Sequence, residues 1–171
     1  MRETAQGVRS GRIVETEAYL HDDAACHAFR GPTLRNRPLF LRRGHAYVYI
    51  AYGTSMMLNV SSAGEGVGEG VLIRALQPLD GIAQMQAARG VTRPLDLTRG
   101  PGRLAQALSV DFALNGLDLC AGGPIWLGAD GKRRGKIGES LRIGITKDAD
   151  RVLRFYLRGN PFVSGPKRLN L

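Results

Sequence analysis

The sequence has little of what would define a metal site, a disulfide framework or a membrane protein. Its two cysteines, Cys26 and Cys120, lie far apart and form no CxxC pair, so neither a zinc site nor a set of disulfides is indicated. No apolar run approaches the roughly 20 residues of a membrane-spanning helix. The first ten residues, "MRETAQGVRS", lack the apolar core of a secretory signal. We therefore expect an intracellular protein that does not enter a membrane.

Several common catalytic motifs are absent as well. The three histidines have no metal-ligand spacing, and no serine lies in a GxSxG turn. The glycine-rich residues 64–70, "GEGVGEG", are followed by an expected strand rather than a helix, so they do not form a dinucleotide-binding loop. All four lysines lie after residue 131, which leaves little support for a Schiff-base nucleophile. We expect neither a metal ion nor an organic cofactor.

What the sequence does have is positive charge. The formal net charge is +9 and the sequence pI is about 10.2. A basic loop at residues 28–45 carries Arg30, Arg35, Arg37, Arg42 and Arg43. A second basic cluster consists of Lys132, Arg133, Arg134 and Lys136. A domain this basic is a candidate for binding a polyanion, because neutralising phosphates releases counterions; a merely basic protein is the alternative.

Length and hydrophobic patterning predict one domain. The chain has 171 residues, of which 43% are hydrophobic, enough for a full core. Expected strands are residues 12–20, two strands within 46–62 around a turn near Gly53, and residues 71–76, 140–146 and 152–159. Expected helices lie within residues 79–90 and 100–111. This pattern predicts a single α+β domain over residues 1–171, with a mainly antiparallel sheet and flanking helices.

The first strand, "RIVETEAYL" at residues 12–20, carries an unusual pair of acids. Side chains alternate faces along a strand, so Glu15, Glu17 and Tyr19 share one face. Carboxylates are rarely buried unless they are paired or line a site. One interpretation is an edge strand with its charges in water, and the other is an acid that lines a pocket beside an aromatic wall.

Tyrosines are concentrated in the next predicted strand. Tyr47 and Tyr49 share a face, and Tyr52 points the other way near the turn. Ordinary sheet packing explains tyrosine in strands. Grouped aromatic rings on a basic protein also fit the stacking of nucleobases, and an aromatic residue at a hairpin tip could enter a DNA groove.

Taken in order, the motifs resemble one family. "GRIVETEAYL", His27, "RGPTLRNRPLF", "GHAYVYIAYGTSMMLNV", "LIRALQPL", "GPGRLAQAL" and "RFYLRGNPFVS" are similar to the alkyladenine (3-methyladenine) DNA glycosylase family. The match runs from Gly11 to about Ser164. It implies a curved sheet with a protruding β-hairpin. It also implies that this chain is a shortened form, without an opening helix and strand of the family.

The resemblance implies roles for individual residues in the removal of a damaged base. Glu17 would be the general base and Arg74 would help it hold the attacking water. Tyr19 would stack on one side of the everted base, with His27 and Tyr49 on the other. A lone histidine is also a common structural residue, which leaves a second interpretation of His27 open. Glu15 lies on the same face of the strand as Glu17 but matches no catalytic position of the family. We therefore expect Glu15 to be structural or salt-bridged.

Other residues would recognise the DNA. Asn59 would crowd the 2-amino group of guanine, and Tyr52 would fill the gap left in the base stack. Arg35 and Arg37 would contact phosphates.

The expected function is therefore base-excision repair. The protein would flip alkylated or deaminated purines out of double-stranded DNA and hydrolyse the N-glycosidic bond, without strand cleavage, as a monomer. It would act in the bacterial cytoplasm, associated with the nucleoid, or in a eukaryotic nucleus. Two alternatives remain open: a non-catalytic binder of damaged or distorted DNA, and a carbohydrate glycosidase that uses Glu15 and Glu17.

Overall fold

One antiparallel sheet organises the chain, in a computed structural model that describes residues 1–129, 131 and 135–170. The strands are β1 (Arg2–Thr4), β2 (Gly7–Arg9), β3 (Gly11–Tyr19), β4 (Ala46–Ala51), β5 (Ser55–Ser61), β6 (Gly70–Pro78), β7 (Ile137–Ser140) and β8 (Arg154–Leu157). Six of them form the main sheet in the order β4-β5-β6-β3-β8-β7, and β1 and β2 pair separately as a small hairpin. The predicted α+β class with an antiparallel sheet is confirmed.

Two helices lie beside the β4–β6 half of the sheet: the second packs on β5 and β6, and the first packs on the second helix and on β2. They are α1 (Ile82–Arg89) and α2 (Pro101–Ala107), and both fall inside the predicted ranges. Helix α1 ends at Gly90, whose φ of 64° suits a glycine cap. Helix α2 opens on a proline, whose missing N–H is harmless at a first helical position. The main core forms where Leu104 and Leu108 pack with apolar side chains of β4, β5 and β6.

Strand β3 lies in the middle of the sheet, between β6 and β8. The edge-strand interpretation of residues 12–20 is therefore wrong, because both edges of β3 are paired. A β-bulge interrupts the pairing of β3 with β6: the register skips Val14 on one strand and Arg74 on the other. Val14 and Glu15 are consecutive at this point and both are buried, Val14 in an apolar cluster with Ala75 and Tyr156 and Glu15 against two arginines.

The hairpin predicted near Gly53 is confirmed as β4 and β5, which pair from Ala46↔Val60 to Ala51↔Ser55. Tyr52, in its turn, has a φ of 53°. Positive φ is unfavourable for a side chain of this size, and such residues concentrate at functional sites.

The strand predicted at residues 140–146 is wrong for most of its length. Strand β7 ends at Ser140, and residues 141–147 form a loop. The apolar alternation of Leu141, Ile143 and Ile145 imitates a strand, but Gly144 takes a φ of 80° and Arg142 is buried against neighbouring loops.

Two further expectations from the sequence concern the second basic cluster and the absence of a membrane span. Lys132, Arg133 and Arg134 of the second basic cluster lie outside the described residues. Over the described ranges, no helix combines the length and the apolar character needed to cross a membrane.

Candidate active site

A cavity of about 290 Å³ opens between the end of β3 and the β4–β5 hairpin. Its walls bring together residues that are distant in sequence. Tyr19 comes from β3, His27 from the following loop, Tyr49 from β4 and Asn59 from β5. The remaining lining side chains and backbone come from Ala25, Cys26, Arg35, Leu39, Tyr47, Ile50, Ala51, Tyr52, Gly70, Gly144 and Ile145.

Glu17 lies directly behind the Tyr19 wall and is fully buried. Its Oε2 accepts a hydrogen bond of 3.0 Å from the Tyr19 hydroxyl. Its Oε1 accepts one of 2.7 Å from the backbone N–H of Ile143 and lies 3.2 Å from Nη1 of Arg74. The carboxylate therefore contacts a wall residue, although it does not form part of the cavity surface itself.

Glu15 connects Arg74 to a second buried arginine. Its Oε1 accepts hydrogen bonds from Nε of Arg74 at 2.8 Å and Nε of Arg154 at 2.7 Å. Ser164 donates to Glu15 through both its N–H and its hydroxyl. Burial alone would raise the pKa of Glu15, but the Arg74 charge, the Arg154 hydrogen bond and the Ser164 N–H together hold this pKa below its usual value. The expectation that Glu15 is salt-bridged is confirmed.

The four charged side chains form a chain of alternating sign: Arg154, Glu15, Arg74 and Glu17. Burying an isolated carboxylate costs several kcal/mol, and pairing with good hydrogen bonds offsets that cost. Two acids can thus occupy a central strand because two guanidinium groups face them. Burial would lower the pKa of Arg74, but the charges of Glu17 and Glu15 more than compensate and raise it.

His27, Tyr47 and Tyr49 form one continuous aromatic cluster. The His27 and Tyr49 rings meet edge to face with centroids 4.5 Å apart, and Tyr47 and Tyr49 stack at 5.4 Å. Nδ1 of His27 lies 2.9 Å from the Tyr47 hydroxyl. Burial and the nearby Arg35 charge lower the pKa of His27, which favours a neutral imidazole, and burial raises the pKa of Tyr47 to about 12. Both rings are therefore uncharged at neutral pH.

Tyr19 is backed by an ion pair that the sequence did not indicate. The Arg142 guanidinium lies over the Tyr19 ring, 4.6 Å from its centroid. Arg142 also makes two hydrogen bonds to the Asp23 carboxylate, one of 3.0 Å from Nη2 to Oδ1. Asp23 is fully buried and Arg142 is only 5% exposed. The next residue after Arg142 is Ile143, whose N–H reaches Glu17, so this pair fixes both the Tyr19 ring and the loop beside the carboxylate.

The remaining predicted site residues occupy the cavity and its surroundings. Asn59 is buried and donates from Nδ2 to the Tyr47 carbonyl at 3.2 Å. Tyr52 is 83% exposed at the cavity mouth. Arg35 lies 5.7 Å above the Tyr49 ring and Nη2 approaches the Ile50 carbonyl at 3.5 Å. Arg37 is exposed but does not line the cavity.

Some contributors to the site could not be found from the sequence. Asp23, Arg142 and Ile143 come from segments without a recognised motif, and Ile143 contributes through its backbone N–H. Ser164 ends the motif "RFYLRGNPFVS", but the motif gave it no role. Over the described residues, no group of three or more His, Cys, Asp or Glu side chains is arranged to hold a metal ion.

This fold and site define a class of enzyme. A buried carboxylate beside an aromatic cavity, on a strongly basic domain, is typical of enzymes that act on a base turned out of nucleic acid.

Comparison with known proteins identifies the family. The family model for methylpurine-DNA glycosylases matches residues 1–161. A protein of Mesorhizobium japonicum is 66% identical over 169 residues, which cover 99% of this chain and 81% of the relative. A protein of Rubrobacter xylanophilus is 46% identical over 98% of this chain and 87% of its own. A protein of Methanoculleus marisnigri is 48% identical over 91% of this chain and 82% of its own. All three have the provisional name 3-methyladenine DNA glycosylase.

The chain therefore belongs to the methylpurine-DNA glycosylase family. The resemblance stated from the sequence motifs is confirmed.

Proposed function

We propose that this protein is a monofunctional base-excision-repair glycosylase that removes 3-methyladenine and related damaged purines from double-stranded DNA. Its family and the names of its relatives support this activity. The product is an abasic site, since hydrolysis by water leaves the strand uncut. The site observation that carries the proposal is the contact between the buried Glu17 carboxylate and the aromatic cavity wall at Tyr19.

Glu17 acts as the general base. A water oxygen attacks C1′ of the deoxyribose while the proton of that water passes to Glu17, and the N-glycosidic bond breaks with its electron pair on the departing base. The transition state resembles a sugar cation, which a nearby carboxylate also stabilises. Arg74 helps to hold the water, and its position 3.2 Å from Glu17 Oε1 supports that role.

The cavity holds the everted base by stacking. Tyr19 takes one face of the base, and His27 and Tyr49 take the other. Each stacked base gains about 1–3 kcal/mol, which offsets much of the few kcal/mol needed to flip a base that is already damaged or mispaired. Purines alkylated at N3 or N7 carry a positive charge and leave as neutral bases, whereas a neutral lesion such as hypoxanthine or ethenoadenine needs protonation or hydrogen bonding as it departs.

Selectivity comes from contacts rather than from stacking, because every base offers a flat ring. Asn59 crowds the 2-amino group of guanine, and the hydrogen bond from Asn59 to the Tyr47 carbonyl supports a fixed position for this side chain. Tyr52 enters the duplex where the base has left, and its high exposure in a strained turn supports this assignment. Arg35 and Arg37 contact phosphates.

Catalysis requires a local rearrangement at Glu17. The carboxylate is covered, and the Tyr19 hydroxyl occupies Oε2. The attacking water must therefore replace that hydrogen bond or reach Glu17 between Tyr19 and the loop at residues 142–145. We propose that entry of the base shifts Tyr19 enough to admit this water.

The test is single-turnover excision from duplex oligonucleotides that carry 3-methyladenine, 7-methylguanine, hypoxanthine or ethenoadenine. Glu17→Gln should lose about 10²–10⁴-fold in rate, the range expected for a general base, and should still bind DNA. Glu139→Gln is the matched control, because Glu139 is an exposed acid on β7. No excision of any lesion by the folded wild-type protein would refute the proposal, as would full activity of Glu17→Gln.

A non-catalytic binder of damaged DNA is the second candidate, and the complete burial of Glu17 is the observation in its favour. It predicts salt-dependent binding without release of any base. The same excision assay separates the two. A carbohydrate glycosidase is not favoured, because both oxygens of Glu15 are held by arginines and Ser164.

We also propose that the protein acts as a monomer in the compartment that holds the chromosome, which in a bacterium is the cytoplasm. Light scattering coupled to gel filtration tests the first statement.

A further inference from the structure

A second concavity, of about 410 Å³, adjoins the base cavity. It is called the trough here. One wall is formed by residues of the segment 24–30 and the other by residues 144–147. The trough shares five lining residues with the base cavity: Ala25, Cys26, His27, Gly144 and Ile145. A linear ligand that lies along the trough therefore passes the mouth of the base cavity.

The described side chains that line the trough carry positive charge. Arg30 lies on one wall and Lys147 on the other, and its described lining contains no carboxylate. Within the described residues, neither Arg30 nor Lys147 forms an ion pair, whereas Arg74, Arg142, Arg151 and Arg154 all do. Phe29, half exposed, lies beside Arg30 in the same wall. Unpaired cations on facing walls attract an anion that lies between them.

The two walls are held in place by a shared set of buried contacts. Asp23 accepts the N–H of Ala25 at 3.0 Å, while its pair with Arg142 fixes the start of the opposite segment. Asp148 joins the walls a second time: its carboxylate accepts the Ala24 N–H at 2.9 Å and its carbonyl accepts from Arg142 Nη2 at 3.1 Å. The trough is thus preorganised, which lowers the entropy lost when a ligand is ordered in it.

We propose that the trough binds the sugar–phosphate backbone of the strand that carries the everted base, with Arg30 and Lys147 each facing a phosphate. This inference deepens the proposed function and rests on it. A base in the cavity places its deoxyribose at the mouth. The DNA strand on one side of that deoxyribose must then continue across the protein surface. The trough is continuous with that mouth and is cationic, whereas the hairpin with Tyr52 occupies another part of the rim.

The first experiment measures the dissociation constant for duplex DNA with an abasic-site analogue at several salt concentrations. Arg30→Ala and Lys147→Ala should each weaken binding and should each reduce the slope of log Kd against log salt by about 0.9, the value for one phosphate contact. Both residues are exposed, so the melting temperature should not change. Arg158→Ala is the matched control, because Arg158 is an exposed arginine that follows β8, beyond the part of that strand that pairs with β3, and its slope should equal that of the wild type.

The second experiment identifies the phosphate that each side chain meets. Single phosphates near the lesion analogue are replaced, one at a time, by neutral methylphosphonates. At one position the replacement should weaken the wild-type complex and leave the Lys147→Ala complex unchanged, because the interaction has already been lost. A different position should do the same for Arg30→Ala.

Each outcome decides one of the two ideas. The trough assignment would be overturned if both variants kept the wild-type salt slope. It would also be overturned if, at every position, the loss of binding free energy from the methylphosphonate simply added to the loss from the variant. Either result would count even if the wild type excises bases normally. A wild type that excises nothing, but whose slopes and phosphate couplings behave as described, would refute the glycosylase chemistry and leave the trough as a DNA-binding site.

Discussion

Replacement of Arg142 by methionine gives the most informative test of how the site is held together. Arg142 and Asp23 are almost completely buried, and their pair also involves the Tyr19 ring and the Ala18 carbonyl. Removing one partner of a buried ion pair leaves an uncompensated charge and costs about 3–5 kcal/mol. For a domain of this size, each kcal/mol lowers Tm by roughly 2–4 °C. Arg142→Met should therefore lower Tm by about 6–20 °C.

The same change should reduce excision even where the protein is fully folded. Without Arg142, the loop loses its anchor beside the Ile143 N–H, which donates to Glu17 at 2.7 Å. A hydrogen bond to a charged group contributes about 1.5–3 kcal/mol, so its loss corresponds to about a tenfold to hundredfold slower single-turnover rate. The rate is measured at a temperature well below the melting transition of the variant, with saturating protein.

Two further variants make the reasoning refutable. The double change Asp23→Asn with Arg142→Met removes both charges and should cost much less than the sum of the single changes. Arg151→Met is the matched control, because Arg151 pairs with the exposed Asp22 and such pairs contribute only about 0–1 kcal/mol. Urea unfolding followed by circular dichroism gives the free energies. Additive losses in the double variant, or a loss below 1 kcal/mol for Arg142→Met, would show that the pair does not hold the site.

Two other outcomes are expected. Tyr19→Phe removes the hydrogen bond to Glu17 Oε2 but keeps the ring, so the excision rate should change less than tenfold. Tyr19→Ala removes the ring and should weaken binding of DNA with an everted base by about 1–3 kcal/mol. Equal losses for both variants would argue against stacking. In acid, burial alone would raise the pKa of Asp23 and of Glu15, but their arginine and N–H partners hold each pKa below its ordinary value of 3.8 or 4.5. These groups therefore stabilise the fold above those values and lose that contribution as the pH falls below them. Tm should drop between about pH 5 and pH 3, and a drop of equal size in Arg142→Met would contradict the role of Asp23.

Local sequence signals were enough for most of the fold. The two helices have a proline or glycine at one end and apolar residues at helical spacing, and the β4–β5 hairpin has a glycine in its turn. These features act within a few residues, so a pattern can reveal them. The loop at residues 141–147 was wrongly predicted to be a strand, because the burial of Arg142 depends on Asp23, which lies 119 positions away.

The acids of β3 show where prediction from sequence reached its limit. Alternation correctly put Glu15, Glu17 and Tyr19 on one face, and pairing or a pocket was expected of any buried carboxylate. The bulge at Val14 and Arg74 could not be read from the strand itself, since it depends on how β3 and β6 align. That bulge leaves Arg74 without a paired residue opposite it in β3, and its guanidinium reaches both acids.

The same geometry explains how the carboxylate of Glu17 can be fully buried. Besides Tyr19, its partners come from β6 and from a loop 126 positions along the chain. Glu15, two residues earlier, is held by Arg74 and by Arg154 and Ser164 from the C-terminal part. The network combines two acidic and two basic side chains. Attraction and hydrogen bonds among them therefore offset the free-energy cost of removing them from water. A carboxylate held in this way lies beside the aromatic wall of the cavity, where the proposed reaction needs a group that can accept a proton from water.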